Sequence, residues 1–309
     1  MTADRFGPIP SGEYTALAAA RNATPLGPMA PEPGQQGWRA APPVPPAAGR
    51  RAGHRRDRPA WVPLPPPQHG AWAFLIVPVL MAFAVSGASA AGWLFLAAWV
   101  CAYPVGYYGG RALTARVRRG SWTRLARREL SRAVPWAVLT ALLGLPLAMT
   151  RPWLLLAAAV LALLWGAGLW VAARLGERSM ANDLLLVAQA VAAVPMAVAV
   201  VAGPTALLDT LLAPTVTVAL VCAVYLTGSV VHVKSLLREA GSATYQTLDL
   251  AWHLLAAVGT GLLSPWWLLG FGPALLRTLV RRPGMRPGIL GAVEAVVAVL
   301  VVLAAQLAV

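Results

Sequence analysis

The chain has 309 residues, of which 58% are hydrophobic and only 12% are charged, and its formal net charge is +14. Roughly a quarter of the residues in soluble globular domains are charged, so this composition excludes such a domain and predicts an all-α polytopic membrane protein. The net charge would also fit a nucleic-acid-binding protein, and the placement of the basic residues decides between the two interpretations.

The first 67 residues are rich in Pro, Ala, Gly and Arg, with no hydrophobic periodicity and no apolar run of signal-peptide length. We therefore predict a disordered, uncleaved cytoplasmic tail over residues 1–67 and a transmembrane helical domain over residues 68–309. Five arginines between residues 50 and 58 lie close to the first span, where they favour contact with anionic lipid. They are interpreted as an orientation signal, with a regulated electrostatic contact as the alternative.

From residue 71 the chain is a series of apolar blocks of about 17–22 residues, the length that crosses a hydrocarbon layer of about 30 Å as a helix. About nine transmembrane helices are predicted on this criterion. The blocks cover residues 71–88, 91–108, 133–149, 153–173, 183–202, 211–231, 247–263, 266–279 and 288–307.

Basic residues are confined to alternate connections between these blocks. With the tail in the cytoplasm, the inner connections are residues 111–132, 174–182, 232–246 and 277–286, and every Lys and Arg except Arg151 lies there or in the tail. The positive-inside rule then predicts a multi-pass protein of the cell membrane, with a cytoplasmic N-terminus and the C-terminus outside. Because this topology explains why the basic residues lie on one membrane face, the net positive charge requires no nucleic-acid partner.

The first long inner connection, residues 111–132, contains eight arginines among apolar residues such as Val117 and Trp122. This spacing is compatible with an amphipathic helix lying in the plane of the inner leaflet, interrupted at Gly120. Membrane anchoring is its expected role, and a lid over a cytoplasmic cavity is the alternative. Cys101 and Cys222 each stand alone in apolar runs, so neither a disulfide nor a zinc site is predicted.

Two short segments resemble a known family. A Pro-rich lead runs into Gln68-His69-Gly70-Ala71-Trp72, and a basic segment at residues 281–288 precedes Glu294. Together they are similar to the YwiC-like family of bacterial membrane proteins, a resemblance that implies no particular activity.

The layout of the spans also resembles the UbiA superfamily of membrane prenyltransferases. That superfamily has nine helices, a cytoplasmic N-terminus and functional loops after the second and sixth helices, where the two longest inner connections lie here. The resemblance implies a UbiA-like bundle that binds an isoprenoid or quinone-like ligand, with paired aspartates holding Mg²⁺. However, residues 103–111 contain no acid and the sixth connection offers only Glu239 near its arginine, so two-metal chemistry is not supported and no metal site or cofactor is predicted.

The candidate ligand-binding residues lie near the predicted cytoplasmic ends of the spans. They are His69, Tyr107, Arg111, Asp183, Lys234, Arg238, Asp249, His253 and Glu294. Arg111, Lys234 and Arg238 are the groups that could hold a phosphate directly. Asp249 and His253 are one turn apart and share a helix face.

Structural roles compete with these assignments. His69 could instead be an interfacial residue beside Trp72, Asp183 could cap a helix, and Asp249 could complement a helix dipole. Glu294 lies about two turns inside the last span, where an acid is costly unless it is paired or faces a polar cavity.

Three functions remain open on the sequence alone. The first is a membrane protein that binds a lipid or isoprenoid-like amphiphile in a cytoplasm-facing cavity. Binding without catalysis is the favoured form of this function, and Mg²⁺ would be needed only if UbiA-like chemistry is retained. The second is a proton-coupled, permease-like transporter that uses Glu294 and the Asp249/His253 pair. The third is an accessory subunit of a membrane complex. Membrane lipids are the expected partners in each case.

Overall fold

The computed structural model describes residues 65–66, 71–280 and 285–309. Nearly all of the predicted tail, together with His69, lies outside these described residues. The part of the chain that the structure describes is built from helices and contains no strand. The helices are α1 (Ala71–Ser86), α2 (Ala90–Arg119), α3 (Arg124–Thr150), α4 (Trp153–Leu175), α5 (Met180–Ala202), the short α6 (Pro204–Asp209), α7 (Leu212–Leu237), α8 (Ala243–Leu263), a 3-10 turn (Pro265–Trp267), α9 (Leu268–Leu279) and α10 (Pro287–Ala308).

Six of these helices, α2 to α5, α7 and α10, are long and apolar enough to cross a membrane, and α1 is a shorter apolar helix of 16 residues. The class of a multi-pass, all-α membrane protein is therefore confirmed, but the predicted count of nine spans is not. The first two residues of the eighth block belong to the 3-10 turn that Pro265 begins, so that α9 has only 12 residues.

Serine and threonine residues mark the starts of several helices. Ser89, Thr123, Ser179 and Ser242 each accept a hydrogen bond from a backbone N–H three residues later, as N-capping residues do. Because Ser179 caps α5, the alternative that Asp183 caps this helix is wrong. Ser242 likewise starts α8 well before Asp249. The helix dipole is strongest in the first turn, and Asp249 lies beyond that turn.

The buried centre of the bundle lies where α1, α5, α7 and α10 meet. Small and β-branched residues such as Ala82, Val194 and Val301 are fully enclosed there, which lets the helices approach closely. By contrast, α4 buries only Gly168, and its leucines are largely exposed, including Leu163 at 75%. Such a surface suits contact with lipid chains.

The basic segment 111–132 does not form the single in-plane helix that its spacing suggested. Instead, α2 continues to Arg119, the left-handed residue Gly120 ends it, and Thr123 starts α3, so the two helices pack side by side as an antiparallel hairpin. At 1.5 Å per residue the 30 residues of α2 are about 45 Å long, more than the roughly 30 Å of hydrocarbon that they must cross. The basic ends of α2 and α3 therefore extend beyond the apolar layer.

Candidate functional site

Polar side chains from four helices meet inside the apolar bundle. We call this set the α7–α10 network. Its members are Ser229, His232 and Ser235 on α7, Asp249 and His253 on α8, Arg277 and Thr278 on α9, and Glu294 on α10. The three α7 residues are three positions apart and therefore share one face of that helix.

Asp249 occupies the centre of one half of this network and is completely buried. Its Oδ2 atom accepts hydrogen bonds from His232 Nδ1 at 3.0 Å and from Ser235 Oγ at 2.7 Å. Its Oδ1 atom lies 3.1 Å from Nδ1 of His253, which is one turn further along α8. The carboxylate is thus held between two imidazole rings, and His232 and His253 also meet edge to face.

Arg277 occupies the centre of the other half. Its Nη1 atom donates to Oε1 of Glu294, and its Nη2 atom lies 3.4 Å from Nε2 of His253. The second carboxylate oxygen of Glu294 accepts from Ser229 Oγ at 2.6 Å. Because His253 Nδ1 donates to the backbone carbonyl of Asp249 at 2.8 Å, its Nε2 atom is free to accept from Arg277 when the ring is neutral.

Among the described residues, the network brings together two carboxylates, two imidazole rings and the guanidinium of Arg277. Ionisable groups enclosed in an apolar environment are costly unless they pair with one another.

A narrow crevice adjoins the network beside His253. It has no room for a water molecule and is lined mainly by apolar and aromatic side chains, among them Tyr225, Trp252 and Phe271. Gly228 also lines it, and a methyl group at that position would lie 3.0 Å from Trp252 and 3.2 Å from Nε2 of His253. The absence of a side chain on Gly228 therefore allows α8 to pack closely against α7.

A second group of predicted residues joins α5 to α7. Lys234 Nζ lies 2.8 Å from Oδ2 of Asp183 and donates to the backbone carbonyl of Arg178, while Arg238 lies 3.8 Å from the same carboxylate oxygen. The Lys234 side chain is only 6% exposed. Asp183 thus contacts two of the three cations that were predicted to be able to hold a phosphate.

A third group lies in the α2–α3 hairpin and includes an acid that the sequence analysis did not single out. Glu129 is buried, with its carboxylate 3.5 Å from Arg111 and 3.2 Å from Arg132. Arg111 also donates to the hydroxyl of Tyr107 at 3.4 Å. The predicted residues Tyr107 and Arg111 therefore belong to the contact between α2 and α3.

We expect Glu129→Gln to destabilise this hairpin by about 1–3 kcal/mol, because it removes the charge that two arginines share in a buried position. The loss should appear as a lower melting temperature of the purified protein in detergent. Glu177→Gln, in the exposed turn before α5, serves as the control and should change stability by less than about 0.5 kcal/mol. Equal effects of the two substitutions would contradict the importance of the buried pair.

The nine candidate residues therefore do not converge on one cavity among the described residues. Asp249, His253 and Glu294 meet in the α7–α10 network, Asp183, Lys234 and Arg238 form the α5–α7 ion pair, and Tyr107 and Arg111 lie in the hairpin. The position of His69 is outside the described residues. Within the described part of the chain, no group of three or more His, Cys, Asp or Glu residues is arranged to hold a metal ion.

Comparison with known proteins gives one result. A family model described as YwiC-like protein matches residues 65–198, which include α1, the hairpin and most of α5. No curated protein and no solved structure matches the chain. The α7–α10 network, and the basic segment and Glu294 on which part of the sequence resemblance rested, lie beyond the matched residues. Residues 65–198 are therefore similar to the YwiC-like family, and the described residues form the apolar helices of a multi-pass membrane protein.

Proposed function

We propose that the α7–α10 network is the proton-binding centre of a proton-coupled, permease-like protein of the cell membrane. The observation that supports this function is the cluster of two carboxylates, two imidazole rings and one guanidinium buried among the apolar helices. Ionisable residues inside membrane-spanning structures are costly and often mark ion or proton pathways. An imidazole ring held against a carboxylate is a group that can bind and release a proton.

His232 is the group that we propose accepts the proton. A proton on Nε2 of His253 would face the Arg277 guanidinium at 3.4 Å, which is unfavourable for two donors. A proton on Asp249 would compete with the hydrogen bonds that its carboxylate accepts from His232 and Ser235. Protonated His232 would instead form a charge-assisted pair with Asp249 through its Nδ1 atom.

The orientation proposed for this function is the one that the basic residues favour. The N-terminal tail and the basic end of the hairpin would face the cytoplasm, and the C-terminus of α10 would lie outside. The proton would then move between His232 and the cytoplasmic solution at the inner ends of α7 and α8. This function requires neither a cofactor nor a covalent step.

Binding of a lipid or isoprenoid-like amphiphile is less well supported by the geometry. The crevice beside His253 has no room for a water molecule, whereas pockets that enclose drug-sized ligands have volumes of roughly 300–1,000 Å³. An amphiphile would have to separate α7 from α8 in order to enter. Specific, saturable binding of prenyl diphosphates or quinones by the purified protein would favour this function over the proton-binding one.

A pH-jump experiment tests the proposal without knowledge of a transported substrate. Proteoliposomes are adsorbed on a solid-supported membrane, and a rapid change of external pH is applied. A proton-binding centre inside the membrane should give a transient current in the native protein. Glu294→Gln and His232→Gln should each abolish this current, the first by removing the carboxylate that holds Arg277 beside His253 and the second by removing the titrating ring.

Glu177→Gln is the matched control and should retain the full current, since Glu177 is exposed and distant in sequence from the network. Melting temperatures of all variants show whether a lost current reflects unfolding. The proposal is wrong if the native protein gives no transient current, or if folded Glu294→Gln and His232→Gln proteins retain it.

A further inference from the structure

We infer that the Asp183–Lys234 ion pair controls the movement of α7 that accompanies proton binding at the α7–α10 network. This inference rests on the proposed function, because it concerns the regulation of the same site. It is based on where the polar residues of a single helical segment point. The family match gives no such role to the pair, and the sequence analysis predicted Asp183 and Lys234 only as candidate ligand-binding residues.

Helix α7 carries polar contacts on two opposite faces within two turns. His232 and Ser235 bind Asp249 on one side. Lys234 is two residues from His232, which corresponds to a rotation of about 200° around the helix, and it binds Asp183 on α5. Since α7 packs against both α5 and α8, a single rigid segment connects the network to the ion pair.

The ion pair also connects this segment to the turn before α5. The Nζ atom of Lys234 donates to the backbone carbonyl of Arg178 as well as to Asp183, and Arg238 at the end of α7 lies 3.8 Å from the same Asp183 oxygen. The Lys234 side chain is only 6% exposed, so separating it from Asp183 without a new partner would leave a buried charge uncompensated. The pair therefore resists rotation or translation of α7 relative to α5.

Protonation of the network changes the interactions on the opposite face of the same segment. A charged His232 binds Asp249 more strongly, so the network holds α7 against α8 while the ion pair holds it against α5. The described charged and titratable groups that face α7 from the helices around it are Asp183 from α5, Asp249 and His253 from α8, Arg277 from α9 and Glu294 from α10.

A reversible chemical link between α5 and α7 tests the inference. Asp183 and Lys234 are both replaced with cysteine in a full-length background in which Cys101 and Cys222 are alanine. The new thiols are joined by a bifunctional methanethiosulfonate with a spacer as long as the ion pair, and linkage is followed by mass. We expect the link to reduce the pH-jump current at least about fivefold, a modest coupling between sites, and dithiothreitol to restore it.

The matched control links Arg111 to Glu129, which joins α2 to α3 in the same way but does not touch α7. Its current should be unchanged by linkage. A second variant, Asp183→Asn with Lys234→Gln, removes both charges and should make the current relax faster than in the native protein.

The outcomes separate this inference from the proposed function. If the native and reduced proteins show the current and the α5–α7 link leaves it unchanged, the inference is wrong while the proton-binding function stands. Failure of the thiols to link would contradict the α5–α7 contact itself and would also overturn the inference. If no current is found in the native protein, the proposed function fails and the inference fails with it.

Discussion

Replacing Arg277 with glutamine is expected to lower the free energy of unfolding by about 3–5 kcal/mol, the cost typical of removing one partner of a buried ion pair. The Arg277 side chain is 7% exposed and contacts both Glu294 and His253. Without it, the buried carboxylate of Glu294 loses its ion-pair partner. Reversible unfolding in mixed detergent micelles, followed by circular dichroism, measures the loss.

Two further variants show whether charge is the cause. The double substitution Arg277→Gln with Glu294→Gln removes the pair together and should recover a large part of the lost stability. Arg128→Gln removes an arginine of the same chemistry from the exposed face of the hairpin and should change stability by less than about 0.5 kcal/mol. A double variant as unstable as Arg277→Gln would indicate that packing of the side chain, rather than its charge, is what matters.

Gly270→Ala is expected to destabilise the protein by about 1–3 kcal/mol and to weaken the pH-jump current. A methyl group on Gly270 would lie 2.5 Å from a side-chain methyl of Val301 and 2.8 Å from its Cα atom, so the backbones of α9 and α10 would have to separate. Gly270 is seven residues before Arg277, and Val301 is seven residues after Glu294. Each pair shares a helix face two turns apart, and separation of the helices would therefore pull Arg277 away from Glu294.

The neighbouring Gly272 provides a matched control on the same helix. An added methyl group there meets no atom within 4 Å, so Gly272→Ala should leave stability unchanged or raise it by up to about 1 kcal/mol through higher helix propensity. Melting temperatures and pH-jump currents of the two variants provide the comparison. Similar losses in both would contradict the role of close packing between α9 and α10.

Part of the network was predictable from the sequence. The four-residue spacing of Asp249 and His253 placed them on one face of a helix, and the depth of Glu294 in an apolar span indicated that it needs a partner. Arg277 was counted only as an inner basic residue, because the positive-inside rule assigns such residues to solvent without regard to the neighbours that they find. Ser229 and Ser235 lacked any signal, since single serines in apolar helices are common.

The sequence alone determined that this is a multi-pass helical membrane protein, because hydrophobic length and the placement of charge are properties of each segment by itself. The starts of the helices were predicted less closely, since α3 begins at Arg124 and not at residue 133, and α5 begins at Met180 and not at residue 183. Only the tertiary structure decided which polar residues meet. Asp183 pairs with Lys234, Glu129 with Arg111 and Glu294 with Arg277 through contacts between different helices. Those contacts depend on how closely the helices pack, and neither periodicity nor composition specifies that distance.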